Sequence, residues 1–391
     1  MAFFKGYYSP MTQTLLQVVK SYKGSYPLFD AMLPRDRKKV RTIVCYLSGK
    51  PDGKNSAESL VDRTIYLELD KKAVNWTQLG TVRALAKLID EEDVELLACQ
   101  LRRTIPIGVC AALLAHRRPQ VIGILHGIVN GKVSLSRRLL NWFIFKRLTK
   151  LICVSKTCAE DLVAMNWNLD PTKVMAIQNG MDPAPYLVEP RPIASIECTR
   201  GLLFGEQLSG KRLFATIGRL SEVKNYRRFI EAFALACQSN TNIALVMIGT
   251  GPLEQELKDL VASLNIGKQV LFLGYRKDIA TLLQNIDVFA LPSLREGISL
   301  ALLEAMASGL PALTSNRSGM KEVVSDSSCG WLIDPEDSHN IAEVITVIAG
   351  QTPEQLTTIG NNARQRVLAK FHAERMTSDY EALYSEILDR R

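Results

Sequence analysis

The stretch DVFALPSLREGISLALLEAMASGLP, Asp287–Pro311, changes its period half-way along. Val288–Leu291 is a short apolar run closed by Pro292, the pattern of a buried strand. Ser299–Ala307 is a helical run that stops at Gly309 and Pro311. A loop, Ser293–Ile298, joins them. Strand, loop and helix in this order are the unit of a parallel sheet covered by helices. The unit recurs on both sides. Upstream, strands are predicted at Val40–Leu47, Thr64–Leu69, Val94–Ala98, Val121–Leu125, Leu151–Val154 and Val174–Ile177. In the second half they are predicted at Arg212–Ile217, Ile243–Ile248, Val270–Phe272, Pro311–Thr314 and Gly330–Ile333, with helical stretches such as Tyr226–Gln238 and Leu253–Leu264 between them. The fold class is therefore α/β, with two Rossmann-like, doubly wound domains. Pro183, Pro185, Pro190 and Pro192 and a poorly periodic stretch to Gly210 set the boundary. The expected division is 1–195, 196–372 and a last helix, 373–391. That helix carries Met376, Tyr380, Leu383, Tyr384 and Ile387 at helical spacing, and is expected to cross back to the first domain. No repeat or low-complexity tract is present.

With 391 residues, 47% hydrophobic and 23% charged, the chain is an ordinary globular one, not disordered, collagen-like or a coiled-coil rod. No apolar run reaches the ~18–20 residues of a membrane helix. Met1–Pro10 lacks the apolar segment of a secretory signal, so a cytoplasmic chain is expected. Eight cysteines show no metal-ligand spacing and suit free thiols in a reducing compartment. The net charge of +8 is uneven: residues 1–200 hold 29 basic and 18 acidic side chains, and residues 201–391 are slightly acidic. The first half therefore suits an anionic partner. Ser134–Lys150, SLSRRLLNWFIFKRLTK, mixes bulky apolar and basic residues. Two readings fit it: a helix lying in a membrane interface, or an amphipathic helix packed on the first sheet. Arg102, Arg103, Arg117 and Arg118 flank it and add to the basic surface.

Candidate chemistry gathers at predicted strand ends, where open α/β sheets bind ligands. Glu296 lies on the loop after Val288–Leu291, and Glu304 about two turns into the helix. Eight residues of helix span up to about 12 Å, the reach of a sugar diphosphate from sugar hydroxyls to ribose. Carboxylates accept from vicinal hydroxyls, so the pair can grip both ends of a nucleotide sugar. Gly297 allows close backbone approach, and the helix start offers N–H groups to a phosphate. Arg219 and Lys224, in the loop after Arg212–Ile217, can neutralise a diphosphate without a metal. Gly249-Thr-Gly251-Pro252 follows Ile243–Ile248 but is neither a GxGxxG fingerprint nor a P-loop. That argues against a dehydrogenase and a P-loop phosphotransferase. His126, before Gly127 at the end of Val121–Leu125, is the one histidine in such a context, and suits a functional or a structural role equally. Asn179-Gly180-Met-Asp182 is a turn signal.

These residues resemble the retaining family-4 glycosyltransferases. The likeness runs through GRLSEVKN, VMIGTGP, FLGYRKDI, the Asp287–Pro311 stretch and SGMKEVV, and more loosely through ILHG, ICVSK and AIQNGMD, together about residues 94–345. It implies the GT-B fold, two Rossmann-like domains facing across a cleft. It implies a donor site in which Arg219 and Lys224 bind the diphosphate, with Gly251 in the neighbouring loop. Glu296 would hold sugar hydroxyls with the backbone of Gly297, Ile298 and Ser299, and Glu304 would hold the ribose. Tyr275 and Arg276 would lie near the base, and His126 beside the donor sugar. It also implies a metal-independent, front-face mechanism assisted by the leaving phosphate. No cofactor and no metal are expected; the nucleotide sugar is a substrate. One departure stands out. The family's glycine-rich loop after the first strand has only Phe3-Phe4-Lys5-Gly6-Tyr7-Tyr8 to match it, so a short or missing first strand is expected, in a shortened domain or after a misassigned start.

The leading expectation is sugar transfer to a lipid-linked or phosphorylated glycan acceptor, such as a lipopolysaccharide or surface polysaccharide precursor, at the inner, anionic face of the cytoplasmic membrane. A soluble transferase making a small glycoside or disaccharide is the alternative. A nucleic-acid-binding protein is a distant third, since no RRM, KH, helix-turn-helix or zinc signature accompanies the basic half; no nucleic acid is expected.

Overall fold

The computed structural model describes residues 13–22, 26–127, 135–166, 169–187 and 193–390, without the side chains of 135–138 and 193–196. Phe3–Tyr8, Ser134, Pro190 and Pro192, and the side chains of Arg137 and Arg138, lie outside them. The chain divides into two compact units, Met1–Ile177 with Glu374–Arg391, and Gln178–Ala373.

The first unit holds seven parallel strands: β1 (Gln13–Ser21), β2 (Val40–Ser48), β3 (Arg63–Tyr66), β4 (Leu96–Gln100), β5 (Gln120–Leu125), β6 (Lys150–Cys153) and β7 (Val174–Ala176). They lie in the order β3-β2-β1-β4-β5-β6-β7. The second unit holds six: β8 (Arg212–Ile217), β9 (Ile243–Ile248), β10 (Val270–Gly274), β11 (Val288–Leu291), β12 (Ala312–Ser315) and β13 (Gly330–Ile333), in the order β10-β9-β8-β11-β12-β13. Every pairing is parallel. All six residues of β9 are buried, as expected for a strand covered on both faces. Such side chains contribute about 1.5–3 kcal/mol each on burial. The strand order reverses at β1/β4 and at β8/β11, the switch points where such sheets bind ligands.

The expected short or missing first strand is corrected. β1 is nine residues long, pairs with β2 and β4, and lies in the interior of its sheet. Its polar Gln17 interrupts the apolar run that marks a strand, yet Gln17 is fully buried and hydrogen-bonded. Phe3–Tyr8 precede β1 in the chain and so are not the loop that follows it.

The unit boundary falls at Ile177/Gln178 rather than at 195/196. Local bonding explains the difference. Gln178 Nε2 donates to Glu322 Oε2 at 2.7 Å, Asn179 Nδ2 to the Ile298 carbonyl at 3.2 Å, and the Met181 N–H to the Phe371 carbonyl at 2.9 Å. Arg200 is buried, with Nη2 2.7 Å from Asp287 Oδ1. The last helix, Ala373–Asp389, packs on the first unit through Met376, Tyr380, Leu383, Tyr384 and Ile387, all buried. Thr377 Oγ1 donates to the Ala31 carbonyl at 2.8 Å, and Gln13 and Gln120 donate to its Leu388 and Ile387 carbonyls.

Candidate active site

In the second unit the loops after β8 and β11 meet at the switch point. Lys224 and Glu296 form an ion pair there, Nζ to Oε1, with side chains only 14% and 16% exposed. Ser293 Oγ donates to the same carboxylate oxygen at 3.0 Å. The loops are stapled by hydrogen bonds: the Leu294 N–H donates to the Val223 carbonyl at 2.9 Å, and the Asn225 side chain donates through Nδ2 to the Pro292 and Pro335 carbonyls. Gly218 makes room for the cation, because a Cβ there would sit 3.0 Å from Lys224 Cε and 3.1 Å from the Tyr226 hydroxyl. Burial, and then the Glu296 charge, push the Tyr226 phenol well up.

The Leu300–Ala307 helix begins one residue later than expected, with Ser299 as its N-cap. Glu304 is its fifth residue, little more than one turn in. The expected two turns are corrected: the helix supplies about 6 Å of the separation at 1.5 Å per residue, and the loop supplies the rest. Glu304 is largely buried, which raises its pKa; the Tyr186 hydroxyl, donating to it, acts in the opposite direction. Ile298 and Ser299 are buried, and the Gly319 N–H holds the Glu296 carbonyl at 3.1 Å. Arg219 is exposed beside β8. Gly251 packs against that same loop, since a Cβ on it would lie 2.2 Å from the Leu220 carbonyl oxygen. Tyr275 is exposed after β10, while Arg276 is held by Asp278, Nε to Oδ1 at 2.8 Å.

In the first unit His126 follows β5. Its Nε2 lies 2.7 Å from Gln100 Oε1 at the end of β4, and its Nδ1 is buried without a hydrogen-bond partner among the described residues. Burial holds the imidazole down to about 4. A cavity of about 880 Å³ lies nearby in the same unit, with Lys71, Lys72, Arg102, Arg103, Trp76 and Phe145 in its wall. The helix expected in Ser134–Lys150 forms over Leu135–Arg147. Ile144 is buried in the core. Leu139, Trp142 and Phe143 are exposed, with Lys146 over the Trp142 ring and Arg147 over the Phe143 ring at 3.6 Å. Arg117 belongs less to this surface than expected, because Asp93 and Glu95 neutralise it. No described helix is long and apolar enough to cross a membrane. Among the described residues no cluster of three or more His, Cys, Asp or Glu side chains could hold a metal ion.

Two family models match: Glycosyltransferase Family 4 over residues 36–185 and Glycosyl transferases group 1 over residues 204–366. The UDP-Gal:alpha-D-GlcNAc-diphosphoundecaprenol alpha-1,3-galactosyltransferase of Escherichia coli is 30% identical over 321 residues, covering 78% of this chain and 79% of the relative. This chain is a family-4 glycosyltransferase. The N-acetyl-alpha-D-glucosaminyl L-malate synthase of Bacillus anthracis is 25% identical to the transferase, with 79% of each chain covered. Solved structures of a Rickettsia africae glycosyltransferase (TM-score 0.79, 18% identity, 97% and 100% covered) and of Anabaena Alr3699/HepE with UDP and glucose (TM-score 0.78, 18% identity, 96% and 100% covered) share its GT-B fold.

Within the transferase, Lys224, Glu296, Gly297, Ile298 and Ser299 come together at the β8/β11 switch point. Arg219 and Gly251 join them through the β8 loop, and Tyr275 and Arg276 stand at the end of β10. The sequence reading missed Tyr186, Ser293 and Tyr226 around the two glutamates. It also missed Gln100, which holds His126. Tyr186 stood in the proline cluster taken for a linker. Tyr226 reads as one more apolar residue of the Tyr226–Ser239 helix.

Proposed function

We propose that the transferase moves a sugar from a UDP-sugar to a lipid-linked glycan acceptor carrying phosphate, on the inner, anionic face of the cytoplasmic membrane, with retention of configuration. The observation that carries the acceptor side is the charge of the first unit. From Leu96 to Ala159 the chain has eleven Lys and Arg and no Asp or Glu, and the cavity there has four cations and no carboxylate in its wall. A pocket of this size suits the head of a diphosphate-linked sugar, and exposed Leu139, Trp142 and Phe143 beside basic residues suit a lipid interface. The E. coli relative is named for a diphosphoundecaprenol-linked acceptor.

On the donor side, Arg219 and Lys224 take the diphosphate, Glu296 and the Gly297–Ser299 backbone take the sugar, Glu304 takes the ribose, and Tyr275 and Arg276 flank the base. These two cations would supply the positive charge that stabilises a diphosphate leaving group. The acceptor hydroxyl attacks C1 on the face that the diphosphate leaves. One C–O bond forms, the bond from C1 to the diphosphate oxygen breaks, and the hydroxyl proton passes to a leaving diphosphate oxygen. His126 contacts the sugar through a hydrogen bond.

A smaller acceptor is the second reading, favoured by the likeness to the L-malate synthase. Transfer assays with UDP-galactose, UDP-glucose and UDP-N-acetylglucosamine separate the two. Transfer to a prenyl-diphosphate-linked N-acetylglucosamine in anionic vesicles, and none to malate, is the expected result. Transfer to malate alone, with no sedimentation on anionic vesicles at moderate salt, refutes the lipid-linked reading. Stabilisation by GDP or ADP but not UDP in a thermal-shift panel refutes the choice of base.

A further inference from the structure

A line of three buried polar side chains crosses the first unit and ends on His126, which is partly buried. Tyr384 of the last helix donates its hydroxyl to the Met32 carbonyl at 3.2 Å. Gln17 Nε2 donates to the Tyr384 oxygen at 2.8 Å, although 367 residues separate the two in the chain. Gln100 Nε2 donates to Gln17 Oε1 at 2.9 Å. Gln100 Oε1 then stands 2.7 Å from His126 Nε2. Gln17, Gln100 and Tyr384 are at most 2% exposed, so water does not compete for these bonds.

The line has one direction. A main-chain carbonyl only accepts, so it commits the single Tyr384 proton. The Tyr384 oxygen must therefore accept, which turns the Gln17 amide nitrogen toward it and the Gln17 oxygen toward Gln100. That in turn presents the Gln100 oxygen to the histidine. An oxygen facing Nε2 requires a proton on Nε2. The reversed line would strand the Met32 carbonyl without this donor and would put a proton on Nδ1, leaving a buried N–H with no acceptor. Orphaned buried N–H groups are rarer than under-satisfied acceptors.

We infer that Tyr384, Gln17 and Gln100 are positioning residues that fix His126 as the neutral Nε2–H tautomer, with the Nδ1 lone pair free to accept a hydrogen bond from a substrate hydroxyl. Burial of the imidazole keeps it neutral near pH 7, which removes the doubly protonated form. Nδ1 is buried without a partner among the described residues, and an acceptor in that state is costly until a donor arrives. A sugar hydroxyl is such a donor. A phosphate oxygen is not, so the tautomer also selects hydroxyl over anion at this position. The last helix thereby sets the hydrogen-bonding polarity of a residue after β5 as well as covering the sheet.

The hydroxyl ligand rests on the proposed role of His126 at the sugar; the tautomer does not. The test is long-range proton–nitrogen NMR of the full chain labelled with ¹⁵N-histidine, at pH 7, with the His126 signals assigned by loss in His126→Gln. The expected spectrum shows Nε2 protonated and Nδ1 bare. Tyr384→Phe releases the anchor, and a mixture of both tautomers is expected. Gln100→Glu places a carboxylate at Nε2, and a doubly protonated ring is expected. A wild-type Nδ1–H tautomer or imidazolium overturns the inference, whether or not the variants fold. So does an unchanged tautomer in folded Tyr384→Phe. The expected spectra together with wild-type sugar transfer by His126→Gln uphold the line of residues and refute His126 as a sugar contact.

Discussion

Acid should open the first unit of the transferase through His126. Its imidazole is held down to about 4 by burial, against about 6.5 for a free histidine. The folded state therefore binds fewer protons than the unfolded state between those two values, and stability rises with pH across the window. The contribution is fully present above pH 6.5 and is lost as pH falls through 4. At 1.36 kcal/mol per pH unit, the loss reaches roughly 3 kcal/mol over that interval. Other groups titrate there too, so the measurement is a difference. Glutamine at 126 can still donate an N–H to Gln100 Oε1 and carries no charge at any pH. Hydrogen exchange of β4 and β5 amides reports opening of the first unit. Between pH 6.5 and 4, the wild type should lose about 3 kcal/mol more protection than His126→Gln. Parallel profiles for the two proteins would refute a histidine kept neutral by burial.

At the β8/β11 switch point, Lys224→Met leaves a mostly buried carboxylate without its cation and should cost about 2–3 kcal/mol, at the lower end for a broken buried pair. Glu296→Gln keeps an oxygen for Lys224 and Ser293 and should cost about 1 kcal/mol. In the double variant the costs should fall short of additivity by about 1–2 kcal/mol, read from exchange in β8 and β11; strict additivity would deny the coupling. Tyr186→Phe removes the hydroxyl that opposes the burial-driven rise at Glu304. Its carboxylate should protonate at higher pH, so the acid limb of UDP binding should move upward; superimposable calorimetric pH profiles would exclude Tyr186 from the site. Gly251→Ala drives a Cβ to 2.2 Å from the Leu220 carbonyl. It should lower thermal stability by several degrees even in the absence of nucleotide, and an unaltered melting temperature would contradict the close packing of the two loops.

What the sequence makes legible is whatever repeats at short range. β8, β9, β11 and β13 match their apolar runs to the residue, and in β9 and β11 burial throughout leaves no polar interruption. Glu296 and Glu304 are visible because loop and helix place them within one short motif. β1 is hidden by Gln17, a residue that is polar for the sake of a partner 367 positions away. The Lys224–Glu296 pair has the same character: each residue is conspicuous in its own loop, but their bond depends on β8 and β11 becoming neighbours across the chain reversal. Tyr186 is hidden for a different reason, since prolines on either side suggest a linker where the chain is tied to the second unit.

The first unit gathers part of its positive charge at the carboxyl end of its strands. At the end where β2, β3 and β5 begin, cations are matched: Arg41 and Arg63 share Glu92, and Arg117 meets Asp93 and Glu95. Beyond the ends of β3 and β4, Lys71, Lys72, Arg102 and Arg103 gather around one cavity whose wall has no carboxylate. Mutual repulsion among like charges makes such a cluster unfavourable unless an anion shares it. The carboxyl ends of parallel strands are also where α/β sheets take their ligands. This cluster therefore sits where an anionic head group would be bound. The acceptor side proposed for the enzyme thus rests on a cluster of charge, whereas no motif announces it.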